Sequence, residues 1–190
     1  MMYNDFSAAI LAGGFSSRMH HNKAELVLGG ITLLERQVHK CKSLGIDDIM
    51  LSGYHGHIPG TRNISDIYPH RGPLSGIHSC MKAAAHPHCL ILCVDVPLVP
   101  EYALEELLSA HKAGITVLEH QGKIEPLLGV YDSCLSNVAE EMLLTGKAAV
   151  MRLISSVSST RVQFSGDDRL LLNCNTPQDF EEIASFFQRS

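Results

Sequence analysis

The chain has 190 residues, 45% of them apolar and 18% charged, with a formal net charge of −5 when histidine is neutral. That length suits one domain spanning residues 1–190 with a real core, and the apolar content excludes disorder. The acidic balance excludes a general nucleic-acid binder, whose affinity comes from basic surface.

Phe6 to Ala12 is a short apolar run, which predicts a buried strand. No basic region precedes it and Gly13-Gly14 interrupts it, so it reads as neither a signal peptide nor a membrane span. Leu33, Leu34, Val38, Cys41 and Leu44 recur at helical spacing up to Gly45. Ile49 to Leu51 and Asn63 to Ser65 read as two further strands. Gly72-Pro73-Leu74-Ser75-Gly76 opens a helix carrying Ile77, Met81 and Ala84. Cys89 to Val94 is the most apolar run and reads as the central strand. A helix from Glu101 to Ala113 follows, then strands at Ile115 to Leu118 and Leu127 to Tyr131 around a turn at Gln121-Gly122. Helices near Ser133 to Leu144 and Ala148 to Ile154, a strand near Arg161 to Phe164 and a helix from Pro177 complete the chain. This alternation predicts an α/β fold: a single-domain, Rossmann-like, doubly wound, mostly parallel sheet with helices on both faces.

Ligands of such sheets bind beyond the carboxyl ends of the strands, where Gly13, Asp66 and Asp95 all stand. Gly13 and Gly14 can offer backbone amides to an anion, and Arg18 and Lys23 follow them with no acid between. The pattern suits a polyphosphate as well as it suits an ordinary glycine turn leaving the strand, and it lacks both the Gly-Lys pair of a P-loop and the spaced glycines of a dinucleotide fold. Asp95 can hold Mg²⁺, which prefers one or two carboxylates plus phosphate oxygens, or can simply form a turn before Val96-Pro97. Gly76, inside a helix, implies close packing against either a nucleotide or a strand. Asn173 and Asn175 share one side of an extended segment, just outside a capping arrangement of Thr176, Pro177 and Asp179.

Six cysteines without a Cys-x-x-Cys pair read as buried free thiols, and a reducing cytoplasm follows. None of the close histidine pairs, His20-His21, His55-x-His57 and His86-x-His88, has zincin-like spacing, so the eleven histidines read as surface residues.

Taken together, Leu11-Ala12-Gly13-Gly14 with Arg18-Met19 and Lys23, Gly72-Pro73-Leu74-Ser75-Gly76, Asp95-x-Pro97, Glu125-Pro126-Leu127 and Asn173-x-Asn175-Thr176-Pro177 resemble the molybdenum cofactor guanylyltransferases. The resemblance spans nearly the whole chain in the family's order. It implies transfer of GMP from GTP to molybdenum-bound molybdopterin with release of pyrophosphate. It also implies nucleotide contacts from Leu11, Ala12, Gly13, Lys23, Ser52, Asp66 and Asp95, with Mg²⁺ on Asp95 and catalysis by Lys23, Arg18 and Asp95. Gly14, Gly76, Asn173 and Asn175 match positions on the family's pterin side. His20 and Asn22 stand where the family reads Gly and Asp, and Ser52 stands where relatives carry a nucleotide-contacting Asn.

The other readings within this chemistry are a cytidylyltransferase for the same pterin and a guanylyltransferase for a cobamide precursor. The Leu-Ala-Gly-Gly loop leans toward GTP, since the cytidylyl relatives more often read Ala-Ala-Gly. A nucleotide- or pterin-binding accessory protein is the non-enzyme reading. The implied partners are the two substrates and, transiently, cofactor-supplying and cofactor-receiving proteins, with neither nucleic acid nor membrane.

Overall fold

The structure is a computed structural model that describes residues 3–13 and 23–188. In chain order the elements are β1 (Phe6–Leu11), β2 (Val27–Leu28), β3 (Ile31–Thr32), α1 (Leu33–Ser43), β4 (Asp48–Ser52), β5 (Arg62–Ile64), α2 (Pro73–Ala83) and β6 (His88–Cys93). They continue with α3 (Glu101–Ala110), β7 (Ile115–His120), β8 (Lys123–Asp132), α4 (Ser136–Leu144), α5 (Val150–Ser156), β9 (Ser159–Gln163) and α6 (Pro177–Phe187). Three short 3₁₀ turns, at Lys23–Glu25, Ser133–Leu135 and Asp168–Leu171, join them.

Seven strands form one sheet in the order β5-β4-β1-β6-β8-β7-β9. The Cys89-to-Val94 run thus supplies the central strand, as its apolarity predicts. Within this sheet β8 alone runs against its neighbours, pairing antiparallel with both β6 and β7. From β1 the chain winds outward through α1 to β4 and β5, then returns across the sheet through α2 to β6. Right-handed crossovers of opposite sense put α1 and α2 on opposite faces and make the β1–β6 gap the switch point.

Three features depart from the sequence reading. A small hairpin, β2–β3, precedes α1, its turn built on Gly29 and Gly30 at φ 62° and 88°, the conformation that a tight hairpin demands. Thr32 leaves that hairpin as N-cap of α1, and Glu35 completes a capping box with it. Helix α3 stops at Ala110 rather than Ala113, because His111 takes extended backbone and turns its ring into the protein. Strand β8 begins at Lys123, before Pro126, because its register with β7 shifts beyond Val117 and leaves the proline in the irregular stretch, where a missing N–H is tolerated.

The main core runs along both sides of the sheet, and a second, smaller cluster of Leu28, Leu33, Cys174 and Ile183 joins the hairpin to the last helix. All six cysteines are free and five are buried, with Cys134 exposed. The histidines are not all on the surface: the side chains of His78 and His111 are 0% and 1% exposed. No helix among the described residues is long and apolar enough to cross a membrane.

Candidate active site

The carboxyl ends of β1, β4 and β6 are laced together at the switch point. The amides of Ala12 and Gly13 both donate to the Ser52 carbonyl, at 2.9 and 3.1 Å, and the Val94 amide donates to the Leu11 carbonyl at 3.2 Å. Gly13 therefore spends its N–H on the neighbouring strand end rather than on a ligand. Gly53 makes this closure possible. Its φ is +74°, and a Cβ there would lie 2.4 Å from the Gly13 Cα, so only glycine lets the two strand ends approach this closely.

Lys23 opens the first 3₁₀ turn and is buried, its side chain 10% exposed. Its ammonium donates to Asp95 Oδ1 at 3.0 Å and to Asn175 Oδ1 at 2.8 Å. A buried lysine persists when its charge is compensated. Here the compensation comes from residues far along the chain. The Asp95 side chain is 34% exposed and its carboxylate opens toward solvent beyond the lysine.

The loop carrying Asp95 is held from below by α1. Gln37, fully buried, donates its amide to the carbonyls of Cys93 and Val96 at 3.0 and 2.9 Å, on either side of Asp95. One helical step on, Lys40 donates to the Pro97 carbonyl at 2.7 Å and to Gln37 Oε1 at 3.2 Å. Burial lowers the Lys40 pKa to about 7. On the other side, the Cys174 amide donates to the Asp95 carbonyl at 2.7 Å. Asn175 and Thr176 in turn give their amides to the Asp179 carboxylate, each at 2.8 Å, so the cap of α6 also sets the segment that reaches Lys23.

Across the switch point, Ser52 donates to Asp66 Oδ1 at 3.3 Å. Gly76 packs on the same serine: a Cβ there would meet Ser52 Oγ at 2.6 Å and the Leu11 side chain at 3.3 Å. Of the two neighbours its position allows, the observed one is a strand pair. Strand β8 enters at the same end of the sheet with Glu125. Burial raises the Glu125 pKa, and burial foremost, then the charges of Asp95 and Glu125, raises that of the Cys93 thiol.

The structure thus gathers Lys23, Asp95 and Asn175 into one contact group, and Leu11, Ala12, Gly13, Ser52, Asp66 and Gly76 around the neighbouring strand ends. Asn173 is exposed like Asn175, with buried Cys174 between them, the alternation expected of an extended segment. Gly14, Arg18, His20 and Asn22 lie outside the described residues. Sequence reasoning missed Gln37, Lys40 and Gly53. Gln37 and Lys40 are visible in retrospect as polar residues interrupting the apolar stripe of α1, three positions apart.

A doubly wound sheet with a buried lysine, a carboxylate and close-packed glycines at its switch point is the frame of a nucleotidyltransferase. The chain belongs to the family of the MobA-like NTP transferase domain, which it matches over residues 8–162. It is 31% identical to a probable molybdenum cofactor guanylyltransferase of Carboxydothermus hydrogenoformans, over 96% of this chain and 97% of that one. It is 30% identical to a molybdenum cofactor guanylyltransferase of Xanthomonas euvesicatoria, over 94% of each chain. Among solved structures it is similar to molybdopterin-guanine dinucleotide biosynthesis protein A of Archaeoglobus fulgidus, with a TM-score of 0.79, 20% identity and 97% and 100% of the two chains covered. At that identity the likeness speaks for the fold.

Proposed function

We propose that this protein transfers GMP from GTP to the terminal phosphate of molybdenum-bound molybdopterin, releasing pyrophosphate. The observation that carries the reading is Lys23, a buried ammonium held at the switch point by Asp95 and Asn175. Lys23 and Asp95 belong to the nucleotide side, and Asn175 with Asn173 to the pterin side, so the lysine stands where two substrates meet. An oxygen of the pterin phosphate bonds to the α-phosphorus of GTP, the bond to the β-phosphate oxygen breaks, and its electrons leave with pyrophosphate.

An ionised phosphate nucleophile needs no general base, so this chain's part is to position and to neutralise. Lys23 neutralises charge on the triphosphate, with Arg18 as a second cation. Leu11, Ala12 and Gly13 form the wall on which the nucleotide lies, and Ser52 and Asp66 offer polar contacts to it. Gly14 and Gly76 complete the pterin side. Nucleotidyltransferases work with a divalent metal. The partly exposed Asp95 oxygens suit Mg²⁺, which supplies further neutralisation of the phosphates when bound. A cytoplasmic setting, with cofactor-supplying and cofactor-receiving proteins as transient partners, goes with this activity, and the buried free thiols agree with it.

The test is purified protein with Mg²⁺, molybdenum-loaded molybdopterin and GTP, CTP or ATP in turn, reading dinucleotide and pyrophosphate. Turnover with GTP is expected, and D95A is expected to abolish the metal-dependent turnover. No turnover with any nucleotide would refute the enzyme reading, and turnover with CTP alone would replace guanylyl by cytidylyl transfer.

A further inference from the structure

A second cluster of ligating side chains sits at the opposite end of the sheet. His88 opens β6 and Asp132 closes β8, and the two are direct cross-strand partners. His111, the first residue beyond α3, turns inward to join them. His88 Nδ1 lies 2.7 Å from Asp132 Oδ1, His111 Nε2 lies 2.9 Å from the same oxygen, and the two ring nitrogens are 3.2 Å apart. We infer that these three residues form a transition-metal site, best suited to Zn²⁺, separate from the nucleotide site.

The geometry is close to what an ion needs. Three corners of a tetrahedron with ligand bonds of about 2.0–2.1 Å are roughly 3.3–3.4 Å apart, so the sides of the triangle have to open by about 0.1 to 0.7 Å. Both imidazoles turn a ring nitrogen toward a single carboxylate oxygen, the convergence that a shared cation needs. Two of the three, His111 and Asp132, are themselves held from behind, as ligating histidines and carboxylates commonly are. His111 Nδ1 is 3.0 Å from the buried Thr116 Oγ1, and the other Asp132 oxygen accepts the Gly114 amide. The Phe6 ring packs against both imidazoles, with centroids 5.2 and 6.3 Å away, and screens one side from water.

The side chains of His111, Asp132 and His88 are 1%, 16% and 26% exposed, so the third residue leaves an approach for a fourth ligand such as water. Two imidazoles and one carboxylate select a borderline ion such as Zn²⁺ over Mg²⁺. From His88 to Asp95 the extended chain spans roughly 20 Å, so this ion would take no part in phosphate chemistry. It would clamp the start of β6, the end of β8 and the α3–β7 turn to one another.

The experiment uses untagged, chelator-stripped full-length protein titrated with Zn²⁺ by calorimetry and with Co²⁺ by visible absorption. One equivalent per chain is expected, with a tetrahedral Co²⁺ spectrum and a rise in Tm of roughly 5–10 °C at a hundredfold excess over Kd. H88A, at the most exposed of the three positions, should weaken that equivalent at least about a hundredfold while lowering the metal-free Tm by only a few degrees and keeping the Mg²⁺-dependent turnover. H111N should do the same to the metal, and H55A/H57A, altering an exposed pair, should not. Binding no tighter than millimolar, or binding that survives H88A, overturns the site and leaves a purely hydrogen-bonded triad.

Discussion

Replacing Gln37 with leucine asks whether α1 holds the Asp95 loop in place. The wild-type amide bridges the carbonyls of Cys93 and Val96 at 3.0 and 2.9 Å from a fully buried position, and leucine fills a similar volume without the donor. Two hydrogen bonds to the loop are lost, besides the one that Lys40 donates to Oε1, and two carbonyls lose a partner. At about 1 kcal/mol per bond, with part of a desolvation cost of about 1–3 kcal/mol for each orphaned group, the sum is about 2–4 kcal/mol. For a chain of this length, about 3 kcal/mol lowers Tm by roughly 6–12 °C. The two carbonyls flank Asp95, so its carboxylate should drift. A shift of about 1 Å in a positioning group costs up to about a hundredfold in rate, so kcat should fall by roughly ten- to a hundredfold with little change in nucleotide KM. Thermal unfolding followed by circular dichroism, and steady-state kinetics with GTP, read both effects. A Tm within a degree of wild type together with an unchanged kcat would refute the idea that α1 positions the Asp95 carboxylate.

Lys40 allows a test by pH. Burial lowers its pKa to about 7 from an ordinary 10.5, so between those values the unfolded chain binds the proton and the folded chain does not. Its burial penalty is full below pH 7 and fades as pH rises to 10.5, so wild type should gain on K40M by up to about 1.4 kcal/mol per pH unit in that window. Urea unfolding of both proteins at pH 6, 8 and 10 checks this, and parallel curves would contradict it. G53A should cost about 2–4 kcal/mol, because alanine there is strained at φ +74° and would press on the Gly13 backbone; its nucleotide KM should rise as the two strand ends part, and an unchanged Tm and KM would count against that closure. K23A should raise the KM for GTP by roughly ten- to a hundredfold with a smaller loss of kcat, measured by initial rates across a GTP series, and equal effects on GTP and pterin would place the lysine elsewhere.

Much of this architecture was legible because its signals are local. The apolar runs at Phe6–Ala12 and Cys89–Val94 do become adjacent parallel strands, and Gly13, Asp66 and Asp95 do stand at the same end of the sheet. Thr176, Pro177 and Asp179 cap α6 as their spacing requires. What escaped was set by long-range contacts. The reversal of β8 depends on pairing with β6 and β7, which no periodicity within the strand reveals. The same reversal brings Asp132 to His88, and the early end of α3 brings His111 to both, so two histidines that look like surface in sequence join a carboxylate in a partly buried cluster. Gln37 and Lys40 looked like ordinary polar positions because the carbonyls they hold belong to a loop some sixty residues away. The pairing of Lys23 with Asn175 was not predictable from either motif alone.

That pairing spans 152 positions of the chain. During synthesis the seven-stranded sheet has all its strands once Gln163 has left the ribosome, while Asn175 and the helix that braces it are still to come. The small cluster that joins Leu28 and Leu33 to Cys174 and Ile183 waits on the same later segment. The growing protein can therefore close its sheet around Lys23 and Asp95 first, and the contact from Asn175 to that lysine is added only afterwards, by a segment translated once the framework is complete.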